Sequence, residues 1–386
     1  KKISPEEDRR PVIVVETMEF APNDDDTRAA ALELRDQLLM NLSKRTGIRV
    51  VDALTATTLD PTYQLRGRLR MAAGIARLNI SLLLSETGEP TFSQNYQGET
   101  ANIFAFFDET VAQVNADIRN HMNNYDAERV KHVPIEDLGI SDLLACVAST
   151  GQSGRYKEWL DTWKYLDRAL ELDPEHPMVL AMSSMGEILF ARAQFEDIEP
   201  EKADQLVSDV NRALVAIPKS DYLFAVRGMC SLFGKGDTDS AKRDCEHALK
   251  LNPTYYFGRL IRSMVEMAEA RFDDARATLR DAESSATEMS YEPMRQVNLA
   301  FCLYCAGDLQ GCANALDTAI HLQPGFWTLH RFKAIVLREL GDTEGAIADD
   351  GIADSLPKEP TMFFLKPVLP PAYAELLDAL APTEGF

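Results

Sequence analysis

The residues Asp221 to Pro253, DYLFAVRGMCSLFGKGDTDSAKRDCEHALKLNP, constrain what this chain can fold into more than any other stretch. They read as two short amphipathic helices joined by a Gly-Asp turn. Gly228 marks a close approach of one helix to its neighbour, Ala241 and Ala248 lie on one helical face, and Asn252-Pro253 ends the second helix. The closing phrase recurs as ALELDP, ALVAIP, ALKLNP and AIHLQP, ending at Pro174, Pro218, Pro253 and Pro324, with intervals of 44, 35 and 71 residues. The last interval holds two periods, and Ala275 and Ala282, after a turn at Arg271 to Asp274, supply the missing unit. A final unit carries Ala346 and Ala353 and ends near Pro357.

This unit resembles the tetratricopeptide repeat, whose period is 34 residues. The resemblance implies units that each expose an apolar face only a neighbour can cover, so five or six of them stack into a right-handed superhelix with a concave groove. Such units hold partners and rarely do chemistry. The long first interval predicts an insertion or longer helices around Phe195 to Glu201. Pro367, Pro370 and Pro371 interrupt the tail, and Tyr373 to Leu380 is expected to form a short amphipathic cap on the exposed end. On the first helices, Tyr222, Arg227, Arg259, Arg262, Arg295, His330 and Arg331 are the candidates for meeting a peptide. Only a few are expected to touch one, because most aromatic residues at helical spacing are core and hot spots are few.

Ahead of the repeats the periodicity changes. Pro11 to Val15 is a short apolar run suited to a strand buried on both faces, and a loop through Asp24, Asp25 and Asp26 follows. Those acids could bind a cation or simply face solvent. A helix is predicted from near Thr27 to Lys44, with Leu32, Leu34, Leu38, Leu39 and Leu42 at helical spacing and Gly47 as its stop; Ile48 to Val51 is the next strand. YQLRGRLRM alternates strictly: Tyr63, Leu65, Gly67, Leu69 and Met71 point one way, and Gln64, Arg66, Arg68 and Arg70 the other. Two more strands follow across turns at Ala73-Gly74 and Gly88 to Pro90, giving an antiparallel meander. Ile103 to Met122 is then helical, with a stripe of Phe104, Phe107, Val111, Val114 and Ile118.

Residues 11 to about 122 are similar to the TolB-like N-terminal domain found between an effector module and tetratricopeptide repeats in two bacterial signalling families. Tyr63 to Gly67 matches its Tyr-x-Leu-x-Gly strand, Ala76 to Leu84 its next strand, Thr87-Gly88 its turn, Tyr96 its closing aromatic, and Asn102 to Val114 the opening of its helix. The chain departs from it at Glu16-Thr17-Met18, where Leu-Pro-Phe is usual, and in a shortened acidic loop. The resemblance carries no catalytic residue. Arg66, Arg68 and Arg70 would form a basic stripe about 14 Å long. It could dock an acidic partner, a phosphate-bearing ligand or the repeats, or be the solvated face of the sheet.

The 61 acidic and 40 basic residues leave a net charge of -21, which disfavours direct nucleic-acid binding. No run approaches the roughly 20 apolar residues of a membrane span. The charged start, without an initiator Met, suggests the C-terminal part of a longer protein. Six cysteines read as packed free thiols, which leans towards the cytoplasm; a membrane span upstream would instead place the region in the periplasm. Cys302, Cys305 and Cys312, with His321 as a fourth ligand, are the weak candidates for a metal. No phosphate loop, nucleophilic constellation or paired-His motif appears, so no catalytic residue and no cofactor is expected.

The sequence therefore predicts an α+β N-terminal domain followed by an all-α tetratricopeptide superhelix. The divisions are a linker at 1–10, the TolB-like domain at 11–124, a connecting helical segment at 125–157, repeats at 158–366 and a tail at 367–386. The expected role is a non-enzymatic sensory and interaction region taking a protein or peptide in the repeat groove, with homodimerisation open. Its context would be a winged-helix transcriptional regulator, a class III nucleotidyl cyclase or a stand-alone repeat scaffold.

Overall fold

The computed structural model describes residues 11–21, 24–43, 48–54, 61–150, 156–253, 255–284, 291–360 and 366–381. The chain divides into two compact units, 1–132 and 133–386.

The first unit is a five-stranded sheet in the order β2-β1-β3-β4-β5. Its strands are β1 (Val12–Val15), β2 (Arg49–Asp52), β3 (Tyr63–Ala72), β4 (Ile75–Leu84) and β5 (Pro90–Glu99). β1 runs parallel to β2 and β3 and is buried along its length, as expected of an apolar run with no polar face to offer. β3, β4 and β5 form the antiparallel meander. The two-residue turn at Ala73-Gly74 has positive φ at both positions, which matches the right-handed twist of the strands it joins. β5 opens on Pro90 at the sheet edge, where a missing N–H costs no ladder bond.

Two helices, α1 (Asp25–Ser43) and α2 (Ile103–Val130), pack on this sheet. Leu34, Leu38 and Leu42 of α1 are fully buried, as are Phe107, Val111, Val114 and Ile118 of α2. Two positions of the predicted stripes are corrected. Leu32 is 52% exposed and Phe104 70% exposed, because helical rotation carries Leu32 off the core face and Phe104 sits in the first turn, outside it. Asp24 accepts the Thr27 backbone N–H at 2.9 Å and so caps α1, with Asp25 and Asp26 in the first turn where the helix dipole favours them. Gly47, the predicted stop, lies outside the described residues.

The second unit is a stack of helical hairpins. They are α3 (Ile140–Thr150) with α4 (Tyr156–Leu172), α5 (Pro177–Ala193) with α6 (Pro200–Ala216), and α7 (Asp221–Lys235) with α8 (Thr238–Leu251). Next come α9 (Tyr256–Ala268) with α10 (Phe272–Ser284), α11 (Glu292–Cys305) with α12 (Leu309–Leu322), and α13 (Trp327–Glu339) with α14 (Thr343–Ser355). A short helix, α15 (Ala374–Leu380), closes the described chain. These hairpins form a tetratricopeptide-type superhelix. α3, expected to pack on the first repeat, is itself the first helix of a hairpin, and the Gly-rich break after it at 151–154 lies outside the described residues.

One local device repeats. Gly236, Gly307 and Gly341 take left-handed φ of +63°, +79° and +84° after α7, α11 and α13. The next residue, Asp237, Asp308 or Asp342, accepts the backbone N–H three positions on and caps the second helix. The crossing point is as tight as the sequence demands: a Cβ on Gly228 would stand 3.2 Å from the Ala241 carbonyl oxygen. The small residues Ala241, Ala248, Ala275, Ala282, Ala346 and Ala353 are all fully buried, and Cys245 and Cys312 are buried in the same stack.

Candidate protein-interaction surfaces

In the first unit, the alternation of β3 is realised. Arg66, Arg68 and Arg70 are exposed on the face opposite the buried Leu65 and Leu69. Register extends this face across the sheet, setting Arg70 opposite Arg77, Arg68 opposite Asn79 and Arg66 opposite Ser81. β5 adds Gln97, Asn95 and Ser93. The partners of these guanidiniums are on the surface: Arg66 donates to Gln64 at 3.0 Å, Arg77 to Gln97 at 3.1 Å, and Arg68 donates through Nε at 2.6 Å and through Nη2 to the exposed Glu19. Exposed pairs of this kind are worth about 0–1 kcal/mol, so they leave the face able to exchange partners. The opposite face is sealed, with the Tyr63 and Tyr96 hydroxyls donating to Asp126 at 3.2 Å and Asp117 at 2.8 Å of α2. Burial raises both phenols above their ordinary pKa, which keeps them as donors.

In the second unit, the candidate cations of the first helices mostly tie hairpins together. Arg227 makes a two-pronged contact with Asp244 of α8, at 2.9 and 2.5 Å, and reaches Asn211 of α6 at 2.7 Å. Arg331 binds Asp350 and Asp354 of α14, each at 2.6 Å. His330 is buried with its Nδ1 at 2.7 Å from Asp349 of α14. Arg295 is 2% exposed; it holds Glu292 at 2.8 and 2.6 Å and donates to the Leu279 carbonyl at 3.4 Å. Burial alone would raise the pKa of Glu292, but hydrogen bonds from Arg295, Gln296 and Tyr256 hold it below the ordinary value. Tyr222 is half-buried, its hydroxyl 3.8 Å from the Met185 sulfur. Arg295 and His330 are thus closed off from any partner in solution. The acids that engage these cations, Asp244, Asp349 and Asp350, are not among the residues the sequence singles out, although each lies on the second helix of the same hairpin as its cation.

Two candidates do share an open cleft. Arg259, Arg262 and Arg271 line a cavity of about 440 Å3 against α8 and α10, with Glu266, Asp274 and Asp281. Arg259 donates to the Pro253 carbonyl at 2.8 Å and to that of Asp281. Arg262 binds Glu266 at 2.9 Å, and Arg271 binds Glu269 at 2.7 Å and Asp274 at 2.9 Å. The cleft is a mixed-charge network, suited to polar side chains of a protein partner more than to a lone anion.

The thiols are packing groups. Cys302 donates to the Phe272 carbonyl at 2.9 Å, and burial raises its pKa to about 11 and that of Cys305 to about 12, so neither is a thiolate near neutrality. Among the described residues, no group of three or more His, Cys, Asp or Glu is placed to hold a metal, and no helix is long and apolar enough to cross a membrane.

No protein-family model matches the chain, and no curated protein matches it. Solved structures do align. TTC0263, a thermophilic TPR protein of Thermus thermophilus, aligns at 18% identity and TM-score 0.42 over 52% of this chain and all of that one. MamA 41-end from Desulfovibrio magneticus RS-1 aligns at 15% identity and TM-score 0.36, over 40% of this chain and 85% of its own. The APC/C hetero-tetramer Cut9-Hcn1 aligns at 13% and TM-score 0.46, over 73% and 49%. The repeat architecture itself rests on the hairpin geometry above.

Proposed function

We propose that this chain is a non-catalytic sensory and protein-interaction region of a bacterial signalling protein, in which a TolB-like domain is coupled to a tetratricopeptide superhelix. The observation that carries this reading is the uneven use of arginine. Repeat cations such as Arg227 and Arg331 are bound within hairpins, whereas the sheet carries exposed guanidiniums at Arg66, Arg68 and Arg70, with Arg68 paired to the exposed Glu19. Residues 1–132 carry 16 basic against 20 acidic residues, and 133–386 carry 24 against 41, so the basic face stands out on an acidic chain. The element order expected from the TolB-like resemblance, strand, helix, strand, meander, helix, is the order found, which supports that assignment.

An upstream winged-helix regulator is the context this reading favours, with a class III cyclase as its alternative. A stand-alone tetratricopeptide scaffold accounts for the geometry at least as well. Reading the coding sequence ahead of residue 1 separates the three. The interaction role is tested by capturing partners on the immobilised chain and repeating the capture with Arg66→Glu/Arg68→Glu. Loss of a partner at unchanged thermal unfolding supports the face as a docking surface; identical capture sinks it. Turnover of nucleoside triphosphate by the isolated chain would overturn the non-catalytic reading.

A further inference from the structure

The tail does not merely cap the last repeat. Lys366 lies against the far hairpin, 174 positions from Arg192 at the end of α5. Its backbone N–H donates to the Arg192 carbonyl at 3.0 Å, and the Arg192 guanidinium returns bonds to the Lys366 carbonyl at 3.0 and 2.7 Å and to that of Pro367 at 3.4 Å. The Lys366 ammonium reaches Asp197 at 3.0 Å and the Phe195 carbonyl at 3.3 Å. Val368 and Leu369 then pack on the repeat core. Tyr373 meets the Phe272 ring edge-on at 5.8 Å and donates to the Cys305 carbonyl at 2.9 Å. The contacts thus run along the hairpin turns from α5 to α11, and α15 rests on α13.

This is how a protein binds a peptide. Arg192 is only 4% exposed, in a helix that is otherwise largely apolar, and it stacks over Phe233 at 5.3 Å. Besides Asp197, its guanidinium donates to backbone carbonyls of the tail, a mode of reading that extended chain of many sequences can satisfy. Pro367, Pro370 and Pro371 preset the extended form and lower the entropy lost on docking. The first interval is lengthened both by longer helices and by the loop facing Lys366, which holds Phe195 at a left-handed φ of +62° with its carbonyl accepting from the lysine. Asp197 is 80% exposed, so its pairing with Lys366 is weak and reversible.

We propose that the track from Arg192 to Cys305 is a peptide-docking site which residues 366–373 occupy in cis, and that its partner is an extended, proline-containing protein segment with a basic residue ahead of the prolines. The proposal rests on the interaction reading above for the class of ligand, while the site is defined by the tail's own contacts. A docked tail lowers the apparent affinity for any competitor in proportion to the fraction of time it is bound, so the site is self-inhibited.

The test uses the full chain and a fluorescein-labelled peptide of residues 366–381, read by fluorescence anisotropy. Lys366→Asp/Tyr373→Ala should loosen the cis tail and tighten binding of the labelled peptide at least tenfold over wild type, and adding Arg192→Met should abolish that gain. Equal binding by wild type and the tail variant overturns the proposal. Hydrogen exchange on the unmodified chain gives a reading independent of variant folding. The Lys366 amide should exchange at least tenfold faster than those of α7; shared protection would make the tail an integral part of the fold and overturn the proposal. Failure here leaves capture at the sheet face untouched, and failure of that capture leaves the peptide result intact.

Discussion

Thirty-five positions separate Arg227 of α7 from Arg262 of α9, and thirty-four separate Asp244 of α8 from Thr278 of α10, so two neighbouring hairpins can be compared residue by residue. In α7–α8 the arginine reaches across to the acid on the second helix. In α9–α10 the acid has moved to the first helix. Glu266, 1% exposed, accepts from Arg262 at 2.9 Å and from the Thr278 hydroxyl at 2.8 Å, bridging the positions that Arg227 and Asp244 join directly. The turns differ as well: Gly236-Asp237 in one, Ala270-Arg271 in the other, with Ala270 at the left-handed φ of +58°. The two hairpins reach one fold with different pairings, a cross-helix Arg–Asp contact in α7–α8 and an acid shared between Arg262 and Thr278 in α9–α10, and the missing Gly-Asp turn is why the sequence of α9–α10 reads as a degenerate repeat.

The largest expected effect tests the close crossing that α7–α8 has and α9–α10 relaxes to Ser263. Gly228→Leu should cost about 3 kcal/mol, because the new side chain meets the Ala241 backbone, whereas Ser263→Ala should cost about 1 kcal/mol. Urea midpoints of the two variants give the ranking, and similar losses would remove the crossing as the distinguishing feature.

A double-mutant cycle addresses the relocated acid. Glu266→Ser should destabilise by about 2 kcal/mol by leaving the buried Thr278 hydroxyl unpartnered, and adding Thr278→Asp should recover at least about 1 kcal/mol by restoring the α7–α8 arrangement. Additive losses would mean that the two networks are unrelated.

The capping aspartate supplies a pH-dependent difference. Hydrogen bonds from the Ser240 side chain, then its backbone N–H, hold Asp237 below the ordinary carboxylate pKa. A depressed folded-state value gives stability that is present above the unfolded value near 4 and lost as pH falls through the folded one. Asp237→Ala should therefore cost about 1 kcal/mol at pH 7, with the gap to wild type closing in acid. Thermal melts of Asp237→Ala and wild type from pH 7 to pH 3 check the convergence, and a gap that stays constant in acid would remove Asp237 as a titrating cap.

The smallest effect concerns the turn backbone. Ala270→Gly should stabilise by roughly 0.5–1 kcal/mol by relieving the left-handed alanine, and Gly236→Ala should lose a similar amount. A loss at Ala270→Gly would show that the turn is not strained.

The sequence by itself determined the architecture. Alternation in Tyr63 to Met71 set the strand and both its faces, and the spaced alanines with Gly-Asp turns set the hairpins, because period and turn chemistry are local properties carried by neighbouring residues. It also marked the exposed arginines of β3, since a strand's outward positions follow from register alone. What a cation on a repeat helix does was decided only by tertiary structure. Arg227 and His330 carry no local sign of their partners, which arrive from the second helix of the hairpin. The tail shows the limit most clearly. Its prolines announced an interruption, but that Lys366 returns to Arg192 depends on the stacked hairpins the tail runs along, which bring together residues 174 positions apart that no spacing rule connects.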